Sequence, residues 1–159
     1  MRIAIYPGSF DPITKGHLDI LKTGAEIFDK VIIAVARNSE KKGFLSIDDR
    51  VKLIRESIKD LENVKADSFE GLTIEYAKKK GAKVLIRGLR AVSDFEYELQ
   101  LSQANSALCS DIKTVFLTTK PKYNFISSST IKEIYLNNGD ISKFVPEPVY
   151  EFLKSRNVS

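Results

Sequence analysis

The sequence has one cysteine, Cys109, in 159 residues, so it carries no disulfide framework and no cysteine-based metal site. Histidine also occurs once, as His17. No grouping of His, Asp, Glu and Cys has metal-ligand spacing, so no metal held by the chain itself is expected. No apolar run approaches the roughly 20 residues that span a bilayer. The opening run Met1-Arg2-Ile3-Ala4-Ile5-Tyr6 stops at Pro7-Gly8 and lacks the apolar stretch and cleavage site of a signal peptide. A cytoplasmic, reducing setting without a membrane partner is the expectation. Charge of neither sign is scarce: 25 Lys and Arg against 21 Asp and Glu give a net +4. That mild excess suits anionic small molecules, and would suit nucleic acid too. There is no continuous basic stripe and no RNP-like aromatic strand pattern, so nucleic acid is not expected as a partner. The densest run, Lys78-Lys79-Lys80, closes an expected helix, where cations complement the dipole.

What is present reads as a core-forming chain. With 43% hydrophobic residues and this length, we expect a single domain over residues 1–159. Ile3-Ala4-Ile5-Tyr6 reads as a buried strand, and Leu18, Leu21, Ala25 and Phe28 then recur at helical spacing. The run Val31-Ile32-Ile33-Ala34-Val35-Ala36 fits a strand covered on both faces. Val51, Ile54 and Ile58 mark a second helix. A strand over 64–69, a helix over 72–80 and a strand at Val84-Leu85-Ile86 follow. Ser93 and Glu96 have capping-box spacing, and Tyr97, Leu101, Ala104 and Leu108 form one stripe of the helix behind them. Thr114-Val115-Phe116-Leu117 reads as the last central strand, with helices expected after Ser128 and Pro148. Alternating strands and helices with right-handed crossovers predict a doubly wound parallel α/β sheet of Rossmann-like type. Ligands of such folds bind beyond the carboxyl ends of the strands.

Four segments after strands carry chemistry. The first is Tyr6-Pro7-Gly8-Ser9-Phe10-Asp11-Pro12-Ile13-Thr14-Lys15-Gly16-His17. Gly16-His17 falls at a helix start, where unpaired amides and the dipole favour a phosphate, and the imidazole can donate to it. The Walker A spacing is absent. The second is Lys41-Lys42-Gly43-Phe44, where a Lys can meet phosphate as a point charge. The third is Ile86-Arg87-Gly88-Leu89-Arg90-Ala91, with two guanidinium forks flanking a glycine. On the helix behind it, Glu98 and Asn105 share one face. The fourth is Tyr123-Asn124-Phe125-Ile126-Ser127-Ser128-Ser129-Thr130. Thr130 and Glu133 have capping-box spacing, but one cap needs one hydroxyl and four are present, which favours a second phosphate cradle.

At these residues the chain resembles a known family. Thr14-Lys15-Gly16-His17 is similar to the T-x-G-H motif of the nucleotidylyltransferase superfamily. Ile126-Ser127-Ser128-Ser129-Thr130 resembles its second signature, the counterpart of the KMSKS loop. The stretch from Arg87-Gly88-Leu89-Arg90 through Phe95-Glu96-Tyr97-Glu98 narrows the resemblance to bacterial phosphopantetheine adenylyltransferases. That resemblance implies adenylyl transfer from ATP to 4′-phosphopantetheine, with Mg²⁺ and a homohexamer. It implies that Ser9, Phe10 and His17 meet the ATP phosphates. Gly88, Leu89, Arg90, Glu98, Tyr123, Asn124, Phe125, Ile126, Ser127, Ser128 and Ser129 would complete the ATP site. Ser9, Lys41, Thr73, Arg87 and Asn105 would hold the acceptor, and His17, Lys41 and Arg90 would act on the transferring group. Two alternatives remain at this point: adenylyl or cytidylyl transfer to another phosphate such as nicotinamide mononucleotide or glycerol phosphate, and a nucleotide- or nucleic-acid-binding module without activity.

Overall fold

The structure is a computed structural model that describes residues 1–37, 43–90 and 92–156. Five strands form one parallel sheet: β1 (Ile3–Gly8), β2 (Lys30–Ala36), β3 (Val64–Phe69), β4 (Val84–Leu89) and β5 (Lys113–Thr118), in the order β3-β2-β1-β4-β5. Six α-helices connect and flank them: α1 (Lys15–Ile27), α2 (Ile47–Ser57), α3 (Thr73–Lys79), α4 (Val92–Leu108), α5 (Ser128–Leu136) and α6 (Glu147–Arg156). The expected doubly wound α/β sheet is the one found.

Successive strand residues point to opposite sheet faces, and the core divides accordingly. Tyr6, Val31, Ile33, Val35 and Ile86 pack under α1, α2, α5 and α6, through Ile20, Leu21, Ile54, Ile131 and Leu153. Ile5, Ile32, Ala34 and Leu85 pack on the other face against Ile74, Tyr76 and Ala77 of α3 and Ile112. β2 is buried along nearly its whole length, which is why it reads as an unbroken apolar run.

Three expectations need correction, and one helix face takes a direction that the sequence leaves open. β5 lies at the sheet edge, not in its centre, and its residues are half-exposed or exposed. Helix α4 starts at Val92, so Ser93 lies inside it and is not its cap. The cap of α5 is Ser127, whose hydroxyl accepts from Thr130 N–H; Thr130 is itself helical, because the chain turns three residues earlier than its capping-box spacing suggests. The Tyr97, Leu101, Ala104, Leu108 stripe exists, but it turns away from the core, with Tyr97 65% and Leu108 58% exposed. Helical spacing shows that four residues share a face, not which way the face points. Here the inward face carries Glu98 instead.

Candidate active site

The cleft follows from how two strands separate. β1 stays paired with β2 as far as Gly8 and Val35. With β4 it pairs only at Ala4–Val84 and Ile5–Leu85. Beyond that point β1 and β4 part, at the place where the winding reverses. A cleft of about 310 Å³ opens there. It draws its walls from the loop after β1, the start of α1, the end of β4, the inward face of α4 and the start of α5.

His17 is fixed at the third position of α1 by a reciprocal cap. The Thr14 backbone N–H donates to His17 Nδ1 at 3.0 Å, and the His17 N–H donates to Thr14 Oγ1 at 3.3 Å. Because Nδ1 accepts, the ring proton resides on Nε2. The imidazole also packs edge-on to Phe10 at 4.9 Å, and Phe10 packs in the same way on Tyr6 at 5.1 Å. Phe10 is buried with φ of +44°, a left-handed conformation that costs a bulky residue on the order of 1–3 kcal/mol and persists where packing over-determines it. Burial of the ring, and then the Arg90 charge, lower the His17 pKa to about 4. At neutral pH it is an uncharged N–H donor. Burial likewise pushes the Tyr6 hydroxyl well above the ordinary tyrosine range.

Arg87 emerges from β4 and meets Glu98 of α4 in a two-point pair, Nε to Oε2 at 2.5 Å and Nη2 to Oε1 at 2.8 Å. Its Nη1 donates to the Pro7 carbonyl at 3.3 Å. Burial disfavours the guanidinium charge, but Glu98 outweighs it, so the Arg87 pKa is raised. Among the described residues, three of the five Arg87 N–H groups are thus engaged and two have no partner. Arg90 reaches Asp94 at 3.4 Å and donates to the Ile126 carbonyl at 3.3 Å.

The serine run is more occupied than its count suggests. Ser127 Oγ caps α5 and lies 2.9 Å from Thr130 Oγ1, and Ser128 Oγ donates to the Pro12 carbonyl at 2.8 Å. These hydroxyls keep acceptor capacity, and Ser127, Ser128 and Ser129 line the cleft at the start of α5. Ser128 also ties the start of α5 to the loop after β1.

Two anchors were not read from the sequence. Asp11, buried, accepts from the N–H groups of Phe44 and Leu45, both at 2.8 Å, and pairs with Arg50 at 3.3 Å and Lys132 at 3.8 Å. Arg50, also buried, donates to the carbonyls of Leu45 and Ser9. Asp19 of α1, buried too, accepts Lys120 N–H at 2.8 Å. Apart from the Arg50–Leu45 bond, these contacts join residues 33 to 121 apart in sequence, which no local pattern reveals. The Arg90–Asp94 pair could have been read from its i, i+4 spacing.

Of the expected site residues, Ser9, Phe10, His17, Arg87, Gly88, Arg90, Glu98, Ile126, Ser127, Ser128 and Ser129 converge on the cleft. Leu89, Tyr123, Asn124, Phe125, Thr73 and Asn105 do not line it. Thr73 opens α3, beyond edge strand β3, and Asn105 stands half-buried two turns along α4 from Glu98. The Tyr123 carbonyl still approaches the α1 start: a Cβ at Gly16 would lie 3.7 Å from it. Lys41 lies outside the described residues.

A parallel sheet parted at its switch point, with two helix starts and a neutral histidine donor facing the gap, is the architecture of a nucleotidyltransferase. A model of the family described as cytidylyltransferase-like matches residues 5–134. Phosphopantetheine adenylyltransferase of Clostridium novyi is 56% identical over 149 residues, covering 94% of this chain and 92% of that one. The enzyme of the same name from Alkaliphilus metalliredigens is 50% identical over 157 residues, covering 99% and 100%. A solved structure from Vibrio parahaemolyticus, provisionally assigned as a nicotinate-nucleotide adenylyltransferase, superposes with a TM-score of 0.73 over 97% of this chain and 99% of that one. At 23% identity it speaks for the fold alone. The chain belongs to the cytidylyltransferase-like nucleotidyltransferases and, within them, to the phosphopantetheine adenylyltransferase family.

Proposed function

We propose that this chain transfers the adenylyl group of ATP to 4′-phosphopantetheine in the cleft between β1, β4 and β5, giving dephospho-coenzyme A and pyrophosphate. The observation that carries the mechanism is the neutral, clamped His17. In an in-line displacement, an acceptor phosphate oxygen bonds to the α-phosphorus of ATP as the bond to the bridging oxygen of pyrophosphate breaks. The acceptor phosphate is already ionised at neutral pH, so no strong base is needed. Negative charge shifts among the α-phosphate oxygens, and a pre-oriented Nε2–H stabilises it without reorganising. Ser9 and the α1 and α5 starts hold the phosphates of ATP. Arg90, tied to Asp94 and Ile126, adds positive charge beside them. Arg87, steadied by Glu98, offers its two remaining N–H groups to the acceptor, and Lys41 adds a further charge.

The chain's fit to Mg²⁺ is that of an ion carried by the triphosphate. Among the described residues no three His, Cys, Asp or Glu side chains are grouped to hold a metal, and the two carboxylates lining the cleft, Asp94 and Glu98, are paired with Arg90 and Arg87. The ion would screen triphosphate charge.

We also infer a homo-oligomer, a hexamer by family resemblance, working in the cytoplasm as one domain per chain. The outward stripe of α4 supports assembly, because it exposes Tyr97 and Leu108 beside the half-exposed edge strand β5.

The deciding experiment follows pyrophosphate release from MgATP with and without 4′-phosphopantetheine, with the nucleotide product identified by mass. Release that requires phosphopantetheine and yields dephospho-coenzyme A is expected. Release with nicotinamide mononucleotide or glycerol phosphate in its place would show the acceptor to be wrong while leaving the nucleotide site intact.

A further inference from the structure

Among the described residues, a single buried side-chain polar atom lacks a hydrogen-bond partner: Thr119 Oγ1. Thr119 lines the cleft. It is held from both sides. The preceding residue, Thr118, is paired in the sheet with Leu89. The following residue, Lys120, gives its N–H to the buried Asp19 carboxylate at 2.8 Å. The backbone therefore cannot carry the hydroxyl to a partner, and only rotation about χ1 remains, which exchanges hydroxyl and methyl between staggered positions. An unpaired buried hydroxyl destabilises a fold, and a valine would fill the same space without that cost.

The surroundings indicate what the missing partner is. His17 and the α5 serines, suited to phosphate, sit at the two helix starts, and Arg87 and Arg90, on either side of Gly88, are drawn to Glu98 and Asp94. Ile20 and Gly88 flank Thr119 in the cleft: the Asp19–Lys120 bond brings α1 alongside it, the β4–β5 pairing sets Gly88 and Leu89 beside Leu117 and Thr118, and Ile20 is almost fully buried. Gly88 keeps the floor flat, since a Cβ there would stand 3.2 Å from Ile20 Cγ1. An apolar slot with a flat floor suits a heteroaromatic base rather than a phosphate.

We propose that the Thr119 hydroxyl is a specificity-determining contact of the nucleotide site: it turns into the cleft and hydrogen-bonds the edge of the purine base, with Asp19 as the residue that positions it. This deepens the ATP reading above and rests on it.

The test is calorimetric titration of the full chain with ATP and, separately, with inorganic tripolyphosphate, which has no base. Thr119→Val should weaken ATP binding about five- to tenfold, while Thr119→Ser stays within about twofold of the unaltered chain. Tripolyphosphate affinity should be the same in all three. Asp19→Ala should weaken ATP binding, and adding Thr119→Val to it should weaken it no further, the non-additivity expected of two residues acting through one contact. If Asp19→Ala does not fold, the Thr119 pair decides the matter alone. Equal ATP affinity in Thr119→Val, or an equal loss for ATP and tripolyphosphate, would overturn the proposal and leave the ATP reading standing. If the unaltered chain binds tripolyphosphate but shows no additional affinity for ATP, both readings fail.

Discussion

Thr14 and His17 hold each other. The Thr14 N–H points at Nδ1, the His17 N–H points at the Thr14 hydroxyl, and the imidazole proton is thereby committed to Nε2. The first turn of α1 is both a helix cap and the holder of the group proposed to meet the transition state. Removing the ring should therefore act on rate. His17→Ala is expected to lower kcat by about 10²- to 10³-fold, with ATP affinity changed no more than a few-fold, as measured by pyrophosphate release and calorimetry. Intact kcat with a raised KM would make His17 a ground-state binding residue.

The low pKa of His17 carries a sign. The folded chain keeps this imidazole neutral down to about pH 4, whereas an unfolded one protonates near 6.5. Between those values the unfolded state binds the extra proton. The contribution to stability is complete above about 6.5 and is lost as pH falls towards 4. As the only histidine, His17 gives a single imidazole NMR signal, which should not titrate near 6.5. Thermal unfolding between pH 6.5 and 4 should fall less in His17→Asn than in the unaltered chain.

Glu98 holds Arg87 at two points, and both side chains are largely buried. Glu98→Ala leaves the guanidinium without its counter-ion. The expected loss is up to about 3 kcal/mol, the lower end for breaking a buried pair, read as a drop in thermal midpoint of several degrees. KM for the acceptor should rise as well. Arg87→Lys with Glu98 intact should raise it too, since an ammonium cannot match both Glu98 carboxylate oxygens.

Gly43 sits against the Asp11–Arg50 anchor. A Cβ there would stand 1.6 Å from Arg50 Nη2 and 3.0 Å from Asp11 Oδ2. Arg50 is buried and held by the Leu45 and Ser9 carbonyls, so it has no space to yield. Gly43→Ala is expected to destabilise the fold by about 1–3 kcal/mol and to raise KM for ATP through the shifted Ser9 loop. Chemical denaturation and steady-state kinetics would check the two effects.

The outward stripe of α4 predicts assembly. Light scattering should give a mass several times the 17.9 kDa of one chain. Tyr97→Asp combined with Leu108→Asp should reduce it towards that of one chain while circular dichroism stays unchanged, because neither side chain is needed by the core of its own chain. An unchanged mass would place the interface elsewhere.

Much of the fold is legible in the pattern of residues, because strand burial and helix amphipathicity are local. The β3 bounds, 64–69, and the run of β2 were read directly. The edge position of β5 was not, since a strand reads much the same at an edge as in the middle when one face is covered. The Ser127 cap was missed for a related reason: several hydroxyls in a row offer several caps, and the chain's turn selects one. The candidate site was legible wherever it rests on contiguous motifs, as at Gly16-His17 and Arg87-Gly88-Leu89-Arg90.

The linear sequence thus determined the periodicities, the glycines and hydroxyls at strand exits, and the family. The tertiary structure alone decided how those pieces are used. It engages three of the Arg87 N–H groups with Glu98 and Pro7, brings Asp11 and Arg50 together across the site, neutralises His17 by burial, and leaves Thr119 Oγ1 unpaired. Each depends on contacts between residues far apart in the chain. Burial and hydrogen-bond partnership are properties of the packed whole, and no window along the sequence contains them.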